Sequence, residues 1–407
     1  MEKLVERFLK YIRFDTSSDA GSQQIPSTLG QLELGRCLRE ELERMGAEAR
    51  MIKSGVVYGH LASNSKRKDI PAIGFIAHMD TPQNLNCRDI KPNFIKKYDG
   101  KPVVLNQKLG IALDPKKDTF LKELIGHDLI TTDGTTILGA DDKAGIAELM
   151  TMMDILVQNP QIEHGDVYVA FSVDEEIGRG IEYFDLDLFP CDFAYTVDID
   201  GNDIHCLDYE SICGGWVEVS VRGKPVHPGT GTGVLRNASV MAMEFHQALP
   251  LRLDPFYSKE YEGINHLADF SGKVDCAHMK YRVSNFEEDG LWEQMKNFER
   301  IAEKLNEKYS YPAFSVTMRQ SYSNMKKYIE RDMRSVEYAA RAMKAVGLNV
   351  KHRPIRGGTD GALLSQKGIL TPNLNNGSYN ALSYHEVVSV DYMKKCVELF
   401  VKIVTVE

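Results

Sequence analysis

The 407-residue chain lacks the features that mark special classes of protein. Its seven cysteines (Cys37, Cys87, Cys191, Cys206, Cys213, Cys276 and Cys396) are scattered, odd in number and contain no C-x-x-C pair. That argues against a disulfide scaffold and for reduced thiols in a cytosolic protein. No apolar run approaches the ~18 residues that a membrane span needs. There is no sustained block of Lys or Arg, and 49 basic against 58 acidic residues give a net charge of −9. Nucleic acid and anionic membrane are therefore not expected as partners. The opening Met1-Glu2-Lys3 leads into an amphipathic pattern rather than an apolar leader core, so the expected location is cytoplasmic. There is no internal repeat and no low-complexity segment. What remains is an ordinary globular composition, 43% apolar and 26% charged. The length is that of two or three domains.

Hydrophobic spacing supplies the organisation. Leu4, Phe8, Leu9 and Ile12 predict a first helix ending near Asp15-Thr16-Ser17, and Leu34, Leu38 and Leu42 a second over about 32–45. Ile70-Pro-Ala-Ile-Gly-Phe-Ile-Ala77, Asp166-Val-Tyr-Val-Ala-Phe171 and Phe193-Ala-Tyr-Thr-Val197 are short apolar runs, as in strands buried on both faces. A helix is predicted over about 144–157. Strands alternating with helices imply an α/β layer with a mostly parallel sheet. From Cys213 the pattern changes. Trp216-Val-Glu-Val-Ser-Val-Arg222 alternates apolar and polar, as in a sheet with one solvated face. A helix (234–248), a strand (273–284), a helix (290–308) and a strand (313–319) are expected to follow. The string reads as a smaller α+β domain over 213–321, inserted between 1–212 and 322–407. The first pattern then resumes with a helix near 334–346, the Gly-rich 356–361 segment and a last helix over 391–404.

In open α/β sheets ligands bind beyond the carboxyl ends of the strands. The first buried strand ends in His78-Met79-Asp80, the second in Asp174-Glu175-Glu176 and the third in Asp198. Asp141-Asp142-Lys143 opens the helix after Gly139, where negative charge is favoured. Each piece alone has a plain explanation. A Glu-Glu pair is usually a solvated turn, and Asp suits a helix start. Jointly they bring carboxylates and an imidazole from four segments to one sheet edge, which is costly unless cations compensate. Such donors suit zinc or a similar divalent ion, and a shared Asp suits two ions about 3.5–4 Å apart.

These residues sit in motifs that resemble a known family. The motifs are Phe75-Ile-Ala-His-Met-Asp-Thr81, Leu138-Gly-Ala-Asp-Asp-Lys-Ala-Gly145, Asp174-Glu-Glu-Ile-Gly-Arg-Gly180, Tyr195-Thr-Val-Asp198, Val226-His-Pro-Gly-Thr230 and Pro354-Ile-Arg-Gly-Gly-Thr-Asp-Gly361. Together they are similar, nearly end to end, to the tripeptide aminopeptidases (the peptidase T family), among the dizinc peptidases that include glutamate carboxypeptidase and aminoacylase. The resemblance implies a metallopeptidase domain carrying an inserted ferredoxin-like lid that mediates dimerisation. It implies that His78 and Asp198 bind one metal, Asp141 bridges and Glu176 binds the other. Glu175 would be the general base, Asp80 would orient His78, His227 would stabilise the oxyanion and Arg356 would face the substrate. A capped turn before Pro228 is the plainer account of His227, and a surface cation that of Arg356. The implied function is a zinc-dependent exopeptidase, with cobalt or manganese as alternative metals. It would release the N-terminal residue of short peptides by metal-activated water, and it would be a homodimer.

Two positions depart from the family pattern. Where the family ends its metal set with a His, this chain has Leu382, and His385 stands three residues later. Where relatives carry an Arg for the substrate carboxylate, this chain has Ser284, with Arg282 two residues earlier on the same strand face. Val173 and Ile199-Asp200 are smaller departures. The second metal is therefore expected to be weakly held or absent. Two other functions stay open: a weakened relative that binds peptides, and an amidohydrolase with another substrate.

Overall fold

The structure, a computed structural model, describes residues 2–198 and 203–405, so Ile199-Asp200 lie outside the described residues. The chain forms two compact units. One comprises Met1–Tyr209, Met325–Arg353 and Thr359–Glu407, the other Glu210–Asn324 and Pro354–Gly358.

The first unit is built on a seven-stranded sheet. Its spatial order is Glu48–Met51, Val57–Leu61, Val167–Ser172, Ile73–His78, Phe193–Val197, Asn373–Leu374, Leu207–Asp208. The three central pairings are parallel. The outer pairings are antiparallel, so the sheet is mixed, with its parallel part in the middle. The α/β class follows from this arrangement. Every residue of Ile73–His78 is buried, which explains the run of apolar residues without alternation. Gly74 is required there because a Cβ would run into the Phe189 ring. Phe75 packs between Tyr195 and Phe400, each with ring centroids 5.5 Å away. The helix Ala140–Gln158 is buried almost all round, because it contacts the helices Glu2–Tyr11 and Val390–Val404 as well as the His78 strand. Val390–Val404 is one-sided, burying Met393, Cys396, Val397, Phe400, Ile403 and Val404. Each large apolar side chain so buried contributes roughly 1.5–3 kcal/mol.

In the second unit the strands Cys213–Arg222, Ile264–Gly272, Cys276–Asn285 and Phe314–Tyr322 alternate with the helices Ala238–Gln247 and Glu288–Tyr309. The β-α-β-β-α-β order is ferredoxin-like, and all pairings within this four-stranded sheet are antiparallel. Val217, Val219 and Val221 of the first strand form a core with Phe245, Tyr281, Met295 and Phe298. The sequence pattern predicts three strands here. The structure adds Ile264–Gly272 and starts the next strand at Cys276, not 273. Ile264–Gly272 escapes detection because it is a sheet edge whose residues from His266 onward are exposed or half-buried, so no alternation is imposed on it. A further addition is the helix Asp360–Lys367, where the sequence shows only a Gly-rich stretch. Thr359 caps it by accepting from the Gly361 N–H. Among the described residues no helix is long and apolar enough to cross a membrane.

Candidate metal centre

His78 is the last residue of its strand and is nearly fully buried. Its Nε2 lies 2.9 Å from Asp141 Oδ1 and 4.0 Å from Asp198 Oδ1. One ligand atom from each of these residues falls within 4.8 Å of the others, the spread of a divalent-metal ligand set. The opposite ring nitrogen, Nδ1, faces Asp80, 3.0 Å from its carbonyl and 3.4 Å from Oδ1. Those partners hold a proton on Nδ1, the arrangement that would leave Nε2 to a bound metal. Asp80 is fully buried, and its Oδ1 and Oδ2 accept the backbone N–H groups of Glu175 (2.9 Å) and Glu176 (3.1 Å).

Asp141 and Asp142 have non-helical backbones at the head of Ala140–Gln158. Asp142 Oδ2 accepts the His78 N–H at 3.1 Å, and its Oδ1 accepts from Asn376 Nδ2 at 2.8 Å. Gly145 makes room for that carboxylate, since a Cβ would lie 2.5 Å from Asp142 Oδ1. Glu386 accepts from the N–H groups of Leu138 (2.7 Å), Gly139 (2.9 Å) and Asp141 (3.0 Å). Lys143 is fully buried and donates to the Phe14 carbonyl. Burial pushes its amine down to about 8. Nothing in the sequence sets Asn376 or Glu386 apart, or marks the role of Asp142 beyond its place in Asp-Asp-Lys.

Glu175 and Glu176 do not lie in extended backbone, where neighbours point to opposite faces. They form a 3-10 turn, Glu175–Ile177, entered through Asp174 at φ +58°. The Asp174 carboxylate is held by Ser27 N (2.8 Å), Ser27 Oγ (2.5 Å) and Gln31 Nε2 (2.6 Å). Glu176 Oε1 is buried without a hydrogen-bond partner among the described residues.

Burial pushes the carboxyls of Glu175, Glu176 and Asp142 well above the usual range, and neighbouring carboxylates add to the effect. Asp360, buried against Ser172 Oγ at 2.7 Å, is pushed up to about 6. Burial works against charging His78, but its bonds to Asp141 and Asp80 prevail and hold the ring well above the ordinary imidazole value. So many acids around one imidazole, with an orphaned carboxylate oxygen at the rim, fit a bound divalent cation that cancels their repulsion.

The remaining expected positions divide as follows. Leu382, at φ +56°, is 45% exposed, and neither it nor His385 contributes to the His78 group. Ser284 is buried in its strand, and Arg282 donates to Tyr322 Oη at 3.2 Å. His227 and Arg356 belong to the second unit. His227 is exposed, and its Nδ1 accepts the Gly229 N–H at 3.2 Å, capping the turn Pro228–Thr230. Arg356 donates to the Glu260 and Glu262 carbonyls and to Ser258 Oγ at 2.7 Å, tying down its own unit's 258–262 loop.

Fold and site together define a metal-site protein of the α/β class with an inserted ferredoxin-like unit. Peptidase T of Caldanaerobacter subterraneus subsp. tengcongensis is 43% identical over 405 residues, covering 99% of this chain and 98% of that protein. The model of peptidase family M20/M25/M40 matches residues 132–406, and the chain belongs to that family. Among solved structures, the aminopeptidase PepT of Bacillus cereus has a TM-score of 0.75 at 23% identity, covering 99% of this chain and 97% of that one. The YXEP protein of Bacillus subtilis, a dinuclear metal-binding peptidase of the M20 family, has a TM-score of 0.63 at 14% identity, covering 99% and 98%.

Proposed function

We propose that the chain is a metal-dependent exopeptidase that releases the N-terminal residue from tripeptides or similar short peptides. The observation that carries this is the placing of His78 Nε2, Asp141 and Asp198 within 4.8 Å of one another, with Glu175 tied by its backbone to the same Asp80 that holds His78 Nδ1. The full-length likeness to peptidase T supports the substrate class.

His78, Asp141 and Asp198 would hold zinc, with cobalt or manganese as alternatives. The metal, when bound, polarises the scissile carbonyl and makes water a better nucleophile. Glu175 takes the water's proton and passes it to the leaving amine, a task suited to a carboxyl whose pKa burial has raised well above its ordinary value. Asp80 keeps His78 in the tautomer that presents Nε2. His227, whose Nδ1 is spent on its own turn, has Nε2 left to stabilise the oxyanion. Arg356 reads the substrate only by leaving its bonds to the 258–262 loop.

Glu176 and the shared Asp141 supply oxygens for a second ion, and Leu382 supplies no imidazole. One tightly held ion per chain is the expected stoichiometry, with the second weak or absent. The second unit serves as lid and dimerisation surface, and the location is the cytoplasm. Hydrolysis of a tripeptide panel, before and after chelation and again with zinc restored, is the test. Metal-dependent release of the first residue supports the reading. Peptide binding without turnover favours the second reading, a weakened binding relative, for which the exposed Leu382 is the motive.

A further inference from the structure

We propose, on the basis of the metal-dependent reading above, that Glu386 is a positioning residue for the metal centre. Its carboxylate fixes the backbone of Asp141 and so sets the direction in which that ligand meets the ion.

The two faces of the His78 group are held differently. His78 is set from both sides, by Asp80 at Nδ1 and by Asp142 at its N–H. Asp141 has no helical backbone to define it, with φ −82° and ψ 104°. The first N–H groups of a helix have no partners within it. Here Leu138, Gly139 and Asp141 all direct theirs to one side chain, two on Oε2 and the third, Asp141, on Oε1. Glu386 itself is anchored elsewhere. Its carbonyl accepts from Thr131 Oγ1 at 2.8 Å, and the strand Val387–Ser389 that follows it pairs with Leu129–Thr131. The 129–131 strand thus reaches, through one buried carboxylate, the peptide N–H of a metal ligand. An amide at this position would offer one acceptor oxygen where the carboxylate offers two.

Second-layer partners of this sort commonly change metal affinity by about 10–100-fold. The experiment is zinc affinity of the purified full chain, measured by competition with a chelator. Glu386→Gln is expected to weaken zinc by about 10–100-fold. Leu156→Ala, in the buried far half of the same helix, is expected to lower thermal stability with zinc affinity unchanged. Glu386→Asp, which keeps the charge but withdraws the oxygens, is the second variant and is expected to weaken zinc as well. A readout that needs no variant is amide hydrogen exchange of the metal-free chain, in which Leu138, Gly139 and Asp141 are expected to be protected. Wild-type zinc affinity in a folded Glu386 variant, an equal loss in Leu156→Ala, or rapid exchange at these amides overturns the inference alone. A wild-type chain that takes up no divalent ion overturns the metal-dependent reading as well.

Discussion

The backbone N–H of Glu175 donates to Asp80 Oδ1 at 2.9 Å, and the other oxygen of the same carboxylate takes the N–H of Glu176. One buried acid therefore joins the loop of the proposed base to the strand end that carries His78. The base is held by its main chain, which leaves its side chain free to exchange protons. Glu175→Gln should leave this bond and the metal content intact and reduce turnover by ~100-fold or more. Steady-state kinetics beside metal analysis of the same preparation checks it. A near wild-type rate would remove Glu175 from the mechanism.

On the proposed reading, Leu382 sets the expected ion count. Three protein ligands plus water make an ordinary catalytic zinc site, and His78, Asp141 and Asp198 could supply the three. Two carboxylates alone do not, and lacking a third donor should weaken the second site by several kcal/mol. Metal analysis should find close to one ion per chain. Leu382→His should raise that toward two and increase tripeptide hydrolysis. Two tight ions in the unmodified chain would mean that another donor, such as His385, has moved in.

Glu148 gives a pH dependence of its own, to which the Asp142 carboxylate adds. It is fully buried, neither carboxyl oxygen has a hydrogen-bond partner among the described residues, and burial raises its pKa well above the ordinary 4.5. The folded chain therefore keeps a proton that the unfolded chain releases above its ordinary value. This contribution is fully present below that value and declines as pH rises toward the folded pKa, by up to ~1.4 kcal/mol per pH unit. Glu148→Met removes the titration and should raise the melting temperature most at alkaline pH, flattening its fall. Parallel melting curves of both chains across the neutral range measure this. An unchanged slope would show that Glu148 is not its source.

Self-association should run through the second unit. Its edge strand Ile264–Gly272 leaves Phe270 exposed, and the helix Ala238–Gln247 leaves Val240 and Met243 exposed. Apolar side chains beside an open strand edge are natural pairing surfaces. The native mass at micromolar concentration should be that of two chains, and Phe270→Lys with Met243→Lys should shift it to one. A monomer in the unmodified chain refutes the dimer.

The sequence was most legible where burial leaves little choice. Phe193–Val197 has the same bounds in pattern and structure because all five residues are buried. It was illegible where exposure removes the pattern, as in Ile264–Gly272. The donors at the strand ends announce themselves by residue type and place. Their supports do not: nothing in the sequence sets Glu386 apart from the other acids, because its role depends on a turn that brings it beside N–H groups some 245 residues away. Glu175 and Glu176 show the intermediate case, with their place at the end of the strand read from the sequence but not the 3-10 turn. That turn depends on the distant Ser27, Gln31 and Asp80.

The chain passes between its two units four times, at Tyr209–Glu210, Asn324–Met325, Arg353–Pro354 and Gly358–Thr359. The last two crossings enclose only five residues, yet these supply Pro354-Ile355, which pairs in parallel with Glu210-Ser211, and Arg356, which ties down the 258–262 loop. Neither unit is therefore a continuous stretch of gene. Cutting out 210–324 and joining the ends with a linker would strand the β-partner Pro354-Ile355 and the half-buried Arg356, without their contacts, in the piece left behind. Any transplant of the inserted unit into a related scaffold must carry both fragments, and recombination between relatives at a single breakpoint inside 325–353 would separate parts that fold together.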